Sequence, residues 1–491
     1  MKNLQGAALV DWLQQCNSCL TLLKPSLESF VLAILQIEWA DQERPVCTAY
    51  KHFIANLISA QSYYTKPVVK MLTLKMRGPK DIDSVTDDVL IAIFENLHDA
   101  LRSVIQLSPL AAHSAILSYG KSNMPYYGSY YSRCHTAYLG NLMRIAEYLP
   151  NDRQSLITLV IDRLVQLDAN LPFGEDLYDE GTDINFYYLK FFNFTTISFE
   201  FVSDEEDSDD EQDSPGNEDS NQSSTKSNQQ KRSLEQVCRD NLDGGMEIMF
   251  KYINSQRDKS DEALQDFYHV ILKVFESNIM PSYATGHVQY LMFYLCGIKP
   301  DLFAPQFCDW LWKQFLSPNT PSIIRQTAVA YIASIIARAK YIPVIHLRTY
   351  LKRLTNWIHS YLNARTDCGN DYSYVNVKAH GPFYAACQAV LYMIAFRQDE
   401  ITQGRKSLDF LLKLGLGRIV TCSLNPLKVC LPPVVKNFAA IARHYQLAYC
   451  ETVIQRNARL DLPVVGTLSS NTTVIGDAKP CLLGKLKIID L

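Results

Sequence analysis

The stretch from His380 to Arg397, HGPFYAACQAVLYMIAFR, constrains this chain more than any other. No residue from Pro382 to Phe396 carries a charge, and Ala385, Ala386, Ala389 and Ala395 are strong helix formers. Gly381-Pro382 opens the segment, and proline suits the first helical position because its missing N–H would be unpaired there anyway. A helix apolar on nearly every side must be covered on nearly every side, so the segment predicts an interior helix of a larger helical assembly. It is shorter than the ~20 residues that a membrane span needs, and no run of 18 uncharged apolar residues occurs, so no membrane span is expected.

Helical periodicity dominates the rest. Ile323, Ile324, Ala328, Tyr331, Ile332, Ile335, Ile336 and Ala339 recur at three- and four-residue spacing, and Pro343 ends that helix. Ile345, Leu347, Tyr350, Leu351, Leu354, Trp357, Ile358, Tyr361 and Leu362 repeat the pattern. Leu142 to Leu149 and Leu156 to Leu167 predict another antiparallel pair broken at Pro150-Asn151-Asp152, and Phe30 to Leu35 continue a helix from Ser26. Alternating strand patterns with tight Asn-Gly turns are nearly absent, and Asp243-Gly244 and Ser360–Tyr374 suit loops. Helix pairs of about 35 to 45 residues predict an all-α, HEAT-repeat-like α-solenoid, a superhelix of antiparallel pairs. At 491 residues the chain exceeds what one core usually serves.

The formal net charge of −4 conceals an uneven distribution, because Ser203 to Asp219 holds ten Asp and Glu with no Lys or Arg. That run leads into Gln-, Ser- and Asn-rich sequence that cannot bury enough apolar surface to offset its ordering entropy, so a disordered acidic loop is expected. The expected organisation is a helical array over 1–200, a linker over 201–232, a second array over 233–462 and a short tail over 463–491. The thirteen Cys are odd in number and scattered through apolar helical patterns, which suits reduced buried thiols in a nuclear or cytosolic protein. Cys16-Asn-Ser-Cys19 is the sole CxxC and lacks a partner pair at zinc-site spacing.

No catalytic constellation emerges. Gly120-Lys121-Ser122 ends like a phosphate loop, but Ala115 stands where its first glycine is required. Gly415-Leu-Gly417 lacks the third glycine of a dinucleotide loop and suits a helix-end turn. HExxH, GxSxG and kinase motif sets are missing, and His380 suits a capping or packing role. Neither an enzyme nor a cofactor is expected.

Two features carry interaction chemistry. Ser203 and Ser208 each have an acidic residue three positions on, and Ser214 precedes Pro215, so all three are candidate phosphorylation sites whose modification would deepen the negative charge. Arg325, Arg338, Lys340, Arg348, Lys352 and Arg353 form a candidate basic interaction surface for phosphates or an acidic protein face. The plainer reading of the first set is a solvated linker, and of the second a solvated outer face, which is the more common explanation for such charges.

Several long segments resemble the RNA polymerase I-specific transcription initiation factor family. They are Gly286–Cys296, Ile323–Ala328, Tyr331–Pro343, Trp357–Leu362, His380-Gly381-Pro382-Phe383-Tyr384, Ala386-Cys387-Gln388-Ala389, Asn425-Pro426-Leu427-Lys428 through Pro432, and Tyr445-Gln446-Leu447, all in the family's order. Asn56–Gln61 and Asn141–Ile145 are weaker matches, and an acidic insertion between two arrays is a family trait. The resemblance implies a HEAT-repeat factor that binds RNA polymerase I, makes it competent for initiation, and docks it on the promoter-bound core factor on ribosomal DNA. It further implies control by regulatory kinases and action in the nucleus and nucleolus, and it leaves room for a weak DNA contact and a homodimer. The family touches the polymerase through a serine-bearing surface of its N-terminal helices. Ser103, Ser108, Ser114, Ser118 and Ser132 fall in that region without matching a quotable motif. Relatives extend beyond this chain's first and last helices, so regulation in those segments is not carried over. A generic helical-repeat scaffold or nuclear transport adaptor is the alternative.

Overall fold

The computed structural model describes residues 6–128, 132–171, 223–282, 285–366 and 377–460, with only the backbone described for 132, 223–233, 366, 378 and 460. Every regular element among them is helical, so the all-α, helical-repeat class predicted from helix length and spacing is the class observed. The chain divides into two compact units, one holding the described residues up to 171 together with 223–279, the other holding 280–460.

In the first unit the helices are α1 (Ala7–Ser18), α2 (Glu28–Leu35), α3 (Arg44–Ala60), α4 (Thr65–Lys75), α5 (Asp87–Leu107), α6 (Pro109–Ser122), α7 (Ser132–Tyr148), α8 (Arg153–Ala169), α9 (Ser223–Lys259) and α10 (Asp261–Val274). Each packs mainly on its near neighbours in sequence: α1 on α3, α3 on α5, α4 on α6, α6 on α8, and α9 on α7, α8 and α10. This is the contact pattern of a repeat array, in which one supersecondary unit cannot cover its own apolar stripe and the next unit covers it. The turn at Pro150–Asp152 breaks α7 from α8, as its proline predicts.

The second unit contains α11 (Tyr290–Ile298), α12 (Phe303–Leu316), α13 (Ser322–Arg338), α14 (Val344–Thr366), α15 (Val377–Phe396), α16 (Gln398–Ile401), α17 (Arg405–Lys413), α18 (Leu416–Thr421), α19 (Pro426–Val429), α20 (Pro432–His444) and α21 (Glu451–Leu460). Its centre is the pairing of α13 with α15. Gln326 to Ala337 are buried without interruption, as are Phe383 to Ile394. The Ile stripe expected on α13 therefore understates its burial, because Ala328, Ala330, Ala333 and Ala337 fill the intervening positions and let neighbours close in from every side.

Three sequence expectations need correction. Asp243-Gly244 is not a loop but lies inside α9. A Cβ on Gly244 would overlap Thr136, and one on Gly245 would overlap Leu164, so the glycines permit the close approach of α9 to α7 and α8 at the cost of helix propensity. Ser360 to Thr366 belong to α14 rather than a loop, while 367–374 lie outside the described residues. The second array was expected from 233, yet α9 starts at Ser223 and packs with the first unit, since its apolar face (Cys238, Leu242, Met246, Met249, Ile253) meets α7 and α8. Gly381-Pro382 opens the long part of α15 as expected: His380, at φ −117°, ψ 18°, is non-helical and separates a short leading turn, starting at Val377, from the helix that follows. The remainder of the acidic linker, 201–222, and the tail from 463 lie outside the described residues.

Two consequences are measurable. Ala386 is fully buried in α15, so Ala386→Phe is expected to lower unfolding free energy by about 1–3 kcal/mol through overpacking, read by denaturant titration. The second concerns two buried histidines. His98 hydrogen-bonds the Tyr148 hydroxyl at 2.9 Å and the Asn141 Oδ1 at 3.1 Å, and Asn141 in turn donates to the Met76 carbonyl at 3.0 Å. Burial pushes the His98 imidazole down to about 4, and likewise that of His135, which has no hydrogen-bond partner. The unfolded chain binds these protons more readily than the folded one, so their contribution is complete above pH ~6.5 and falls away as pH drops toward 4. His98→Gln is expected to flatten that slope of stability against pH in chemical unfolding at fixed ionic strength.

Candidate functional site

The residues of the family resemblance converge in the second unit, and what they form is a set of interior ties. His380, 4% exposed, lies between the Tyr361 hydroxyl (3.0 Å from Nδ1) and the Arg365 guanidinium (3.2 Å from Nε2). Burial, reinforced by Arg365, lowers the His380 imidazole below its ordinary range. The ring is then neutral, with Nε2 accepting from Arg365 and Nδ1 donating to Tyr361. Phe383 stacks on Tyr361 at 5.2 Å between centroids, completing an aromatic joint between α14 and α15. Gly381 lies directly against the Gln326 amide of α13, and a Cβ there would require that side chain to shift.

Further along α15, polar groups reach short segments that have orphan backbone atoms. The Tyr384 hydroxyl donates to the Leu424 carbonyl at 2.8 Å, and Gln388 Oε1 accepts from the Leu431 N–H at 2.8 Å. Cys387 is a fully buried thiol pushed well up by desolvation. Asn425 adopts the left-handed conformation (φ 46°) ahead of Pro426 and exchanges amide hydrogen bonds of 2.6 and 3.2 Å with Asn457 on α21. Lys428 alone of this set stands exposed.

The largest tie is one the sequence reading did not single out. Arg397, 8% exposed at the end of α15, donates to the carbonyls of Ile336 (2.9 Å) and Ile342 (3.1 Å) and to Glu400 (2.6 Å). It caps the C-terminal end of α13 with a cation, where the helix macrodipole favours one. The available signal was a lone arginine closing a fifteen-residue uncharged run. Arg397→Met keeps the volume but strands two carbonyls and a carboxylate. A loss of about 2–4 kcal/mol is expected in equilibrium unfolding.

The candidate basic set divides between internal partners and solvent. Arg325 donates its Nε to the Phe315 carbonyl at 2.7 Å, Arg348 donates to the Ser407 hydroxyl at 2.8 Å, and Arg353 pairs with Asp309 at 2.6 Å. Arg338 is half-buried, whereas Lys340 and Lys352 stand exposed. At least three of the six are thus engaged within the fold. The broader charge pattern is more telling: residues 310–366 contain eight Lys and Arg and no Asp or Glu, and 280–460 contain twenty against eight. Residues 1–171 balance fifteen against fifteen. Positive charge therefore belongs to the second unit as a whole, and counting charge by window would have found it.

Among the described residues no catalytic constellation is assembled. An open groove of about 400 Å³ between α1 and α3 is lined by Gln14, Asn17, Arg44, Thr48 and His52 among others, without a nucleophile–base pair. Among the described residues no group of three or more His, Cys, Asp or Glu is disposed to hold a metal, and no helix is long and apolar enough to cross a membrane. Cys16 and Cys19 are free thiols at the end of α1. Gly415 takes a left-handed conformation (φ 65°) at the turn between α17 and α18, as its helix-end reading predicts. Ser203, Ser208 and Ser214 lie outside the described residues.

Comparison with known proteins agrees with this picture. The family model for the RNA polymerase I specific transcription initiation factor RRN3 matches residues 2–478. A Mus musculus RNA polymerase I-specific transcription initiation factor RRN3 is 32% identical over 491 residues, covering 95% of this chain and 70% of the mouse protein. The Schizosaccharomyces pombe factor rrn3 is 26% identical, covering 90% of this chain and 72% of its own length. A crystal structure of RNA polymerase I transcription initiation factor Rrn3 superposes with a TM-score of 0.68 over 94% of this chain and 83% of the other, at 18% identity, which establishes the shared fold. On the family match across nearly its whole length, the chain belongs to the RNA polymerase I-specific transcription initiation factor RRN3 family.

Proposed function

We propose that this chain, a non-enzymatic RNA polymerase I-specific initiation factor, works as a bridge: it binds RNA polymerase I, renders it competent for initiation, and brings it to the promoter-bound core factor on ribosomal DNA. The observation that carries this reading is the family match over residues 2–478, which spans both helical units. Two features of the molecule support an adaptor role. The signature side chains are consumed in internal ties, which leaves binding to the outer helical faces. The outer faces also differ in charge, with the second unit strongly basic and the N-terminal helices balanced, so they favour chemically different partners. The site of action is the nucleus, and within it the nucleolus, where ribosomal DNA is transcribed. Regulatory kinases are proposed to act on the Ser203, Ser208 and Ser214 segment.

The test is reconstitution. Purified chain should co-sediment with RNA polymerase I and restore initiation at a ribosomal promoter in extract depleted of the endogenous factor. Charge reversal of the exposed pair, Lys340→Glu with Lys352→Glu, should weaken the core-factor or polymerase association severalfold at low salt and less at high salt, because screened surface charges contribute little. Failure to bind polymerase together with capture of nuclear transport factors would replace the bridge with a transport adaptor.

A further inference from the structure

The helices α13, α14 and α15 contain no Asp or Glu. Two of their arginines meet at one corner of the second unit, where the first turn of α13, the last turn of α14 and His380 come together. Gly381 lies against the Gln326 amide, and Gln326 Nε2 donates to the Ser322 hydroxyl at 3.1 Å, so α13 and α15 touch there. Arg365 reaches the same corner from α14, with its guanidinium 3.2 Å from His380 Nε2. Burial raises the Tyr361 phenol, and Arg365 and Arg325 both pull against that rise, which places the two guanidiniums beside one ring.

Both arginines are held by partners that offer no negative charge. Arg325 donates its Nε to the Phe315 carbonyl at 2.7 Å and lies over the Phe315 ring at 5.7 Å. Arg365 lies over the Tyr361 ring at 4.7 Å, beside the neutral His380. The rings beneath them form a continuous wall: Phe315 meets Trp357 at 4.6 Å, Trp357 stacks on Tyr361 at 5.3 Å, and Tyr361 stacks on Phe383 at 5.2 Å. Among the described residues neither guanidinium meets a carboxylate, and both side chains are half-exposed, so an anion from solution can reach them. Planar guanidinium forks fixed on aromatic faces lose little freedom when an oxyanion binds. Two of them match the nearly double negative charge of a phosphate monoester better than the single charge of a diester. We propose that Arg325 and Arg365, set on the Phe315–Trp357–Tyr361 wall, form a binding site for a phosphate monoester. A phosphorylated side chain of a partner protein and a free nucleotide both carry that group. The site is a property of this chain alone, so it stands or falls apart from the bridging function.

The experiment titrates the folded full-length chain, at fixed ionic strength, with methyl phosphate and with dimethyl phosphate, and follows binding by phosphorus NMR line broadening. Methyl phosphate should bind roughly tenfold more tightly than the diester. Arg365→Gln keeps a donor for His380 Nε2 but removes the charge, and it should weaken methyl phosphate binding by roughly tenfold. Arg365→Lys retains the charge and should recover part of that loss, which separates a missing cation from a disturbed corner. Lys436→Gln, which removes the same charge from an exposed position on α20, should change the affinity by roughly twofold or less. Titration with O-phosphoserine and with AMP then identifies the source: tighter binding of the first supports a phosphorylated protein, and of the second a nucleotide. The proposal is overturned if methyl phosphate fails to bind, or if dimethyl phosphate binds as well, which would point to a nucleic-acid backbone instead. It is equally overturned if Lys436→Gln weakens binding as much as Arg365→Gln, since the attraction would then belong to the whole basic unit and to no site.

Discussion

The second unit depends on the burial of α13 against α15. Two helices that are apolar around most of their circumference cannot exist separately in water, and small residues on both let their neighbours approach closely. Once paired, they oblige α12, α14, α19 and α20 to cover the sides that remain. Helix dipoles and backbone ends inside such a packed block also need partners. That need accounts for the polar side chains placed at its ends: Arg397 on the carbonyls that end α13, Gln388 on the Leu431 N–H, and Tyr384 on the Leu424 carbonyl.

The residues by which the family is recognised are therefore answers to a packing problem. Gly381 lets the buried Gln326 amide lie against the backbone, and Asn425 takes a left-handed turn directly before Pro426. Such positions tolerate little change, and they speak for the fold rather than for the partner. The proposed binding falls to the exposed faces, where charge and shape over many residues decide the fit. The basic character of the second unit is of this kind: no single arginine in it resembles a site, and several are tied up in the fold, yet the excess is large.

In the first unit the corresponding device is the glycine pair in α9. A helix that must run close to two others gives up propensity at Gly244-Gly245 in return for contact with Thr136 and Leu164. Read locally, Asp-Gly signals a turn, and tertiary packing overrides that signal because the helix is held along its whole length by α7 and α8. The same override extends α14 through Ser360 to Thr366.

The sequence by itself determined the all-α class, the interior status of the His380–Arg397 helix, the breaks at Pro150 and Pro343, and the family. These follow from period and composition, which are local properties of the chain, and from long ordered motifs. Tertiary structure alone decided that α9 joins the first unit, that α13 is buried on every side, and that Arg325, Arg348 and Arg353 spend their charge on internal partners. Those outcomes depend on which surfaces meet across long separations in sequence. Arg348 and Ser407 are 59 residues apart, and Arg397 and Ile336 are 61 apart. No periodicity within one helix encodes such a pairing, because it is set by the shape and orphaned hydrogen-bonding groups of the neighbour.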